Sequence, residues 1–165
     1  MKLLNAETLT SEQWALVRNA PQLVVLAISA AGGTRLDALL ERAAGEKAIA
    51  NGRNNDHPLV RAIAVPSEIE AAMAAIEADT LDGRGRIRAP SELMRIATDG
   101  VRQAADVLRS SGGDIDLYAY REFIMSVARS VAEAAREGDL LGLGGRLVSD
   151  AERQVIASVS AALSS

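Results

Sequence analysis

The chain contains no cysteine among its 165 residues, which excludes a disulfide framework, thiolate catalysis and zinc sites built on cysteine. Aromatic residues make up only 2% of the sequence, so the core must be built mainly from Ala, Leu, Ile and Val. The one histidine is His57, and a catalytic triad or a helix-borne metal site needs partners that are not visible around it. We therefore predict no catalytic residue, no metal and no other cofactor, and we interpret His57 as a turn or capping residue.

The chain also lacks an excess of positive charge and a long apolar run. Its formal net charge is −4, whereas a nucleic-acid-binding protein normally carries a positive surface. The longest strongly apolar stretch, Leu23–Ala31, is far shorter than the roughly 20 residues that span a membrane, and the first ten residues show no signal-peptide pattern. The composition thus predicts a soluble, cytoplasmic protein that binds neither nucleic acid nor membrane.

Apolar residues recur at helical spacing along almost the whole chain, and no segment shows sustained alternation of the kind found in strands. The clearest stripe predicts a helix over about 91–111, ended by Gly112-Gly113 with one glycine at positive φ. A second stripe places Leu36, Leu39 and Leu40 on one face of an earlier helix. We predict an all-α fold, a single-domain bundle of six to seven helices.

Capping signals and one proline mark the predicted helix ends. Thr10-x-x-Gln13, Ser67-x-x-Glu70 and Ser149-x-x-Glu152 have the spacing of capping boxes, and Thr34 is placed to cap the helix that carries the three leucines. Pro21 predicts a break or a kink in the first helix, because proline removes an intrahelical hydrogen bond.

The two halves of the chain show a limited internal similarity. A displacement of 80 residues lays Ser11-Glu12 on Ser91-Glu92 and Gly32-Gly33 on Gly112-Gly113. This predicts two pseudo-repeated three-helix units at about 8–80 and 89–164, joined by a linker at 79–90 rich in turn residues. The alternative is independent origin, since Gly-Gly stops and serine caps are common in helical proteins.

Two small groups of residues are candidates for ligand binding. Arg84, Arg86 and Arg88 alternate through the linker and form a positive patch for a phosphate or an acidic partner, although a solvated linker is the simpler interpretation. Tyr118 and Tyr120 lie two residues apart on a predicted helix, so they cannot share one face. One of them belongs in the core, and the other is free to reach the surface or a cavity.

Acidic and apolar clusters elsewhere have simpler explanations. Asp37 and Glu41 share a helix face, as do Glu133 and Glu137, and each pair has the spacing to contribute to a cation site. We favour a solvated surface for both pairs, because exposed helix faces are normally charged. The apolar, glycine-rich segment 140–145 is explained by packing under a turn, and its alternative is a loop that binds a partner.

The segment from Gly144-Gly145 through Val148-Ser149-x-x-Glu152 resembles the C-terminal end of a loose group of small helical bacterial proteins of unassigned function. The resemblance covers about twenty residues. It implies a bacterial, cytoplasmic protein and carries over no catalytic residue.

These patterns favour a non-catalytic helical module for interaction or structure, acting as a homo-oligomer, most simply a dimer, or with a protein partner. The alternative is a small-ligand-binding or regulatory protein whose pocket lies between the two halves and uses the linker arginines and one of the tyrosines. An enzyme is the third hypothesis, since function has to be argued from a site and no such site is visible.

Overall fold

A computed structural model of the chain describes residues 4–32, 35–137 and 148–165, with side chains up to residue 134 in the second range. The described residues form seven α-helices and no strand, with one isolated β-bridge between Leu81 and Ile87. The predicted all-α, single-domain bundle is confirmed. The helices are α1 (Ser11–Ala31), α2 (Arg35–Asn51), α3 (Pro58–Ile63), α4 (Pro66–Thr80), α5 (Pro90–Ser111), α6 (Asp114–Glu137) and α7 (Asp150–Ser164).

The first helix, α1, is the centre of the bundle. It packs most extensively against α5 and also contacts α2, α4, α6 and α7. Val17, Val24, Ala27 and Ile28 in α1 are fully excluded from solvent. By length and composition α1 would also suffice to cross a membrane, but 67% of its most apolar window is buried inside the bundle, which makes that test weak evidence for a span.

Side-chain caps begin α1 and α7 as the sequence predicts. The Thr10 hydroxyl accepts the backbone N–H of Gln13 at 3.2 Å, and the Gln13 side chain accepts the Thr10 N–H at 3.0 Å. Ser149 and Glu152 form the same reciprocal pair, at 3.2 and 2.9 Å. At the end of α5, Gly112 has a φ of +124°, which confirms the predicted glycine stop.

The predicted cap at Ser67 is wrong, and of the predicted break or kink at Pro21 the break is absent while the kink stays a prediction. Val65 is the N-cap of α4 and makes no side-chain cap bond, so Ser67 does not cap this helix. Pro66 starts it instead, because proline has no N–H to satisfy and its φ is already helical. α1 continues through Pro21 without a break, since tertiary packing on both sides of the proline supports the helix. The predicted cap at Thr34 lies outside the described residues.

The α2 helix buries a different face from the one that its leucines indicate. Leu36, Leu39 and Leu40 are 54%, 65% and 41% exposed, while Glu41 and Gly45 on the opposite face are buried. We call the three leucines the leucine face of α2. Its exposure corrects the expectation that an apolar stripe on this helix faces the core.

The reason for this orientation is the close approach of three helices at Gly45. A methyl group on the Gly45 α-carbon would lie 2.5 Å from each methyl group of Val25 in α1 and 3.0 Å from a methyl group of Val131 in α6. Only a glycine fits at such a distance. The need for a small residue between α1 and α6 therefore fixes which face of α2 is inside.

The helix pairing is compatible with the predicted internal repeat. The long helices α1 and α5 pack on each other, as do α2 and α6, and each long helix also packs against the third helix of its own half, α4 or α7. Superposition of the two halves stays a prediction.

Candidate functional site

A cavity of about 410 Å³ opens between α1, α2, α4 and the turn that follows α4. Its volume is in the range of small-molecule sites, which are mostly apolar with a few polar groups. Met73 in α4 and Ile87 in the following turn both line the cavity and are 38% and 73% exposed, so part of the apolar wall is open to solvent. The apolar lining consists mainly of Val25, Leu26, Met73, Ile76, Leu81 and Ile87.

The polar part of the lining contains one side chain without a partner. Gln22 in α1 is only 5% exposed, and its amide nitrogen makes no hydrogen bond to any described residue. An unsatisfied buried polar group costs about 1–3 kcal/mol, so a buried donor on a cavity wall calls for an acceptor. Gln22 therefore marks the cavity as a candidate binding site.

The other polar residues of the cavity are charged. Arg42 and Glu46 come from α2, and Glu77 comes from α4. None of the three forms an ion pair with a described residue. Thr80 also lines the cavity, and its hydroxyl donates to the carbonyl of Ile76 at 2.8 Å. Within the described part of the chain, the cavity thus offers one cation and two carboxylates outside any ion pair, and one buried amide, around an apolar wall.

The predicted ligand-binding residues are not brought together at this cavity. The linker borders it through Leu81 and Ile87, and none of Arg84, Arg86 and Arg88 lines it. The arginines support the turn itself: the Asp82 carboxylate accepts the backbone N–H groups of Arg84 and Arg86 at 2.8 and 3.0 Å.

Other hydrogen bonds and an ion pair also stabilise the linker. The backbone N–H groups of Arg86 and Arg84 hold the pKa of Asp82 below its usual value. The Arg86 side chain pairs with Asp82 at 3.3 Å, and the Arg88 guanidinium donates to the Asp79 carbonyl at 2.8 Å. The linker arginines therefore have a local structural use that their spacing alone does not reveal.

The two tyrosines separate as their spacing predicts. Tyr120 is fully buried and its hydroxyl donates to the carbonyl of Val17 at 2.9 Å, whereas Tyr118 is 67% exposed. Burial raises the pKa of Tyr120. Neither tyrosine lines the cavity.

His57 is the N-cap of α3, which confirms its predicted role. Its Nδ1 accepts the backbone N–H of Leu59 at 3.3 Å. Its Nε2 lies 3.6 Å from the carboxylate of Asp116 in α6, and the same carboxylate accepts the N–H of Leu4 at 3.3 Å. Asp116 thus connects α6 to the N-terminal segment, whereas His57 Nε2 is too far from its carboxylate for a hydrogen bond and has no such partner among the described residues.

A second candidate site lies at Glu41, a buried acidic residue of α2. This side chain is fully buried and neither of its carboxylate oxygens has a partner among the described residues. Burial, together with the nearby charges of Glu152 and Asp37, raises its pKa to about 8. The prediction that Glu41 lies on a solvated surface is therefore wrong, because the orientation of α2 turns it inward.

Two of the sequence predictions concern residues that the structure does not describe. Segment 140–145 lies outside the described residues, as does the side chain of Glu137. In the described ranges, no group of three or more His, Cys, Asp or Glu residues is arranged to hold a metal.

Comparison of the chain with protein-family models, with curated proteins and with solved structures gave no match. The functional argument is therefore made from the geometry of this chain.

Proposed function

We propose that this protein binds a small amphipathic molecule in the cavity between α1, α2 and α4. The observation that carries the proposal is the buried, unpartnered amide of Gln22 on a wall that is otherwise mostly apolar. An apolar pocket with a few placed polar groups is the usual form of a small-molecule site.

The lining indicates the chemistry of the ligand. The apolar side chains of Met73, Ile76 and Ile87 suit a hydrocarbon chain or ring, because the transfer of apolar surface from water to an apolar pocket is favourable. The Gln22 amide nitrogen needs a hydrogen-bond acceptor, and the Arg42 guanidinium at the cavity supports a negatively charged one. A molecule with an apolar body and a carboxylate or carbonyl end satisfies both.

The same lining supports binding more than reaction. Its ionisable groups are an arginine and two glutamates, and its hydroxyl group at Thr80 is engaged with the backbone. A nucleophile needs an adjacent base and an orienting group, and the lining residues do not supply that set. For the place of action, the cysteine-free composition supports a reducing compartment such as the bacterial cytoplasm.

Three probes with one hydrocarbon tail test the proposal. We would titrate hexanoate, hexanamide and hexylamine into the protein and follow binding by saturation-transfer NMR. We expect hexanoate and hexanamide to bind and hexylamine to bind at least about tenfold more weakly, because it offers no acceptor to Gln22 in its protonated form. Binding of none of the three, or strongest binding of hexylamine, would contradict the proposal.

A matched pair of variants locates the site. Ala74 and Ala75 are neighbouring exposed residues of α4, but only Ala74 lines the cavity. Ala74→Phe should abolish binding of hexanoate by filling the space, and Ala75→Phe should leave it unchanged. Equal effects of the two substitutions would place any binding elsewhere.

Association through the leucine face of α2 is a second candidate function. Leu36, Leu39 and Leu40 expose apolar surface on one side of one helix, and a two-fold contact would cover that surface with a second copy of itself. Light scattering at micromolar concentration should then give the mass of two chains. Leu39→Glu should return the mass of one chain, while Val65→Glu, on another exposed apolar residue, should not. A single-chain mass for the parent protein would rule out this dimer.

A further inference from the structure

Glu41 is a buried acid with no visible compensation. Its relative exposure is 0%, and both carboxylate oxygens lack a hydrogen-bond partner among the described residues. Buried charges are normally paired with an opposite charge or bound to a metal, because burial without compensation is strongly unfavourable. Neither a lysine nor an arginine of the described residues forms an ion pair with it. Protonation removes the charge but leaves the O–H without an acceptor, so either form of the acid lacks a partner within the described part of the chain.

Glu152 directs a second carboxylate to the same place. A methyl group on the Gly32 α-carbon would lie 3.0 and 3.2 Å from the two carboxylate oxygens of Glu41 and 3.2 Å from Oε1 of Glu152. The other oxygen of Glu152 accepts the N–H of Ser149 in the α7 cap. One oxygen of Glu152 and both oxygens of Glu41 thus converge beside Gly32, and Glu152 is itself only 3% exposed.

The end of α1 adds to the negative potential at this point. The last carbonyl groups of a helix have no intrahelical partner, and the helix dipole makes this end negative. α1 has no basic residue in its last turn. The hydroxyl of Ser29, three residues before Gly32, is also buried without a partner. Beside the C-terminal end of α1, the described surroundings of Glu41 therefore offer carboxylate oxygens from α2 and α7 and no paired cation.

We propose that Glu41 and Glu152 bind a hard divalent cation, Mg²⁺ or Ca²⁺, at the C-terminal end of α1. Both ions take oxygen ligands, and Mg²⁺ in particular is often held by one or two carboxylates with water completing its coordination. Gly32 keeps the space between the two carboxylates open, since a side chain there would press against both. The ion would join the end of α1 to α2 and to the start of α7.

The test uses the full chain, stripped with EDTA and then dialysed into metal-free buffer at pH 8.5, since metal ligands must be deprotonated. Isothermal titration with MgCl₂ and separately with CaCl₂ should reveal one site per chain for at least one of the two ions. At 100-fold excess over Kd, the midpoint of thermal unfolding should rise by about 5–10 °C. No binding heat and no change in the midpoint with either ion would overturn the proposal.

Three variants assign the site. Glu41→Gln should weaken binding at least about tenfold, because one ligand charge is lost. Glu152→Gln should weaken binding to a similar extent and preserve the α7 cap, since glutamine accepts the same hydrogen bond in a capping box. If Glu41→Gln does not fold, Glu152→Gln alone tests whether the carboxylate pair binds the ion. Glu70→Gln, at an exposed position of α4, should bind like the parent. Unchanged binding in a folded Glu41→Gln or Glu152→Gln protein, or an equal loss in Glu70→Gln, would contradict the assignment.

Discussion

The two helices α5 and α2 follow opposite rules. In α5 the residues at helical spacing, among them Leu93, Val101 and Leu108, are those that the structure buries. In α2 the three leucines, Leu36, Leu39 and Leu40, face outward, and the inner face carries Glu41, Gly45 and Ile49. The difference shows that burial in this bundle depends on how closely helices approach, as well as on hydrophobicity.

The physical cause is the packing distance. In α5 there is room for larger apolar residues such as Leu93 and Leu108 to be buried, and these side chains gain most by facing inward. α2 lies so close to α1 that Val25 occupies the place of any side chain at Gly45. The functional features of the molecule follow from this second arrangement, since it turns Glu41 inward, places Arg42 and Glu46 at the cavity and leaves the leucine face exposed.

The largest expected difference between the two helices concerns their leucines. Leu108→Ala should destabilise the protein by about 3 kcal/mol, because it removes a fully buried side chain and leaves a cavity. Leu39→Ala should change stability by no more than about 0.5 kcal/mol, since the side chain is mostly exposed. Urea unfolding of the two variants measures both values. A loss of more than about 2 kcal/mol for Leu39→Ala would show that this leucine is buried.

A glycine pair gives the next largest difference. Gly45→Ala should destabilise by about 2 kcal/mol, because the new methyl group meets the short, stiff side chain of Val25. Gly100→Ala in α5 should be close to neutral: its methyl group would lie 2.7 Å from Cδ1 of Leu23, the end of a side chain that can rotate away, and alanine favours the helix. Thermal unfolding of both proteins is the measurement. Equal stability of the two variants would remove the close approach as the cause of the α2 orientation.

The smallest effect is a pH dependence of stability that Glu41, on the inner face of α2, should produce. The pKa of Glu41 in the folded protein is about 8, above its ordinary value of 4.5. Stabilisation by the protonated acid is therefore complete below pH 4.5 and is lost as the pH rises through 8. In EDTA, the parent protein should lose at least about 1 kcal/mol more between pH 5 and pH 9 than Glu41→Gln. Glu70→Gln is the control and should behave like the parent; a parent profile parallel to that of Glu41→Gln would contradict the buried acid.

Much of the fold was predictable because its signals are local. The α5 stripe, the Gly112 stop and the caps at Thr10 and Ser149 each depend on a few neighbouring residues. The orientation of α2 was not predictable from local signals. Its sequence has two faces that could be buried, and which of them is buried depends on Val25 in another helix. Gly45 was the available signal, since a lone glycine inside a helical pattern often marks close packing.

The candidate sites were less predictable than the fold. The cavity joins residues of α1, α2, α4 and the linker that are distant in sequence, and no local motif announces it. Gln22, directly before the apolar stretch that begins at Leu23, was a visible anomaly of the kind that marks a buried polar group. The linker arginines drew attention by their charge, but the linker borders the cavity through Leu81 and Ile87.

The inward face of α2 is the feature on which the cavity, the carboxylate pair and the exposed leucines all depend, and single-cysteine labelling tests it directly. The parent chain has no cysteine, so Leu39→Cys and Ile49→Cys each introduce one thiol, at positions 65% and 1% exposed. With Ellman's reagent under native conditions, the Leu39→Cys thiol should react at nearly the rate of a free thiol. The Ile49→Cys thiol should react at least about 100-fold more slowly, because it has to wait for local opening. Rapid labelling of Ile49→Cys together with protection of Leu39→Cys would contradict the account.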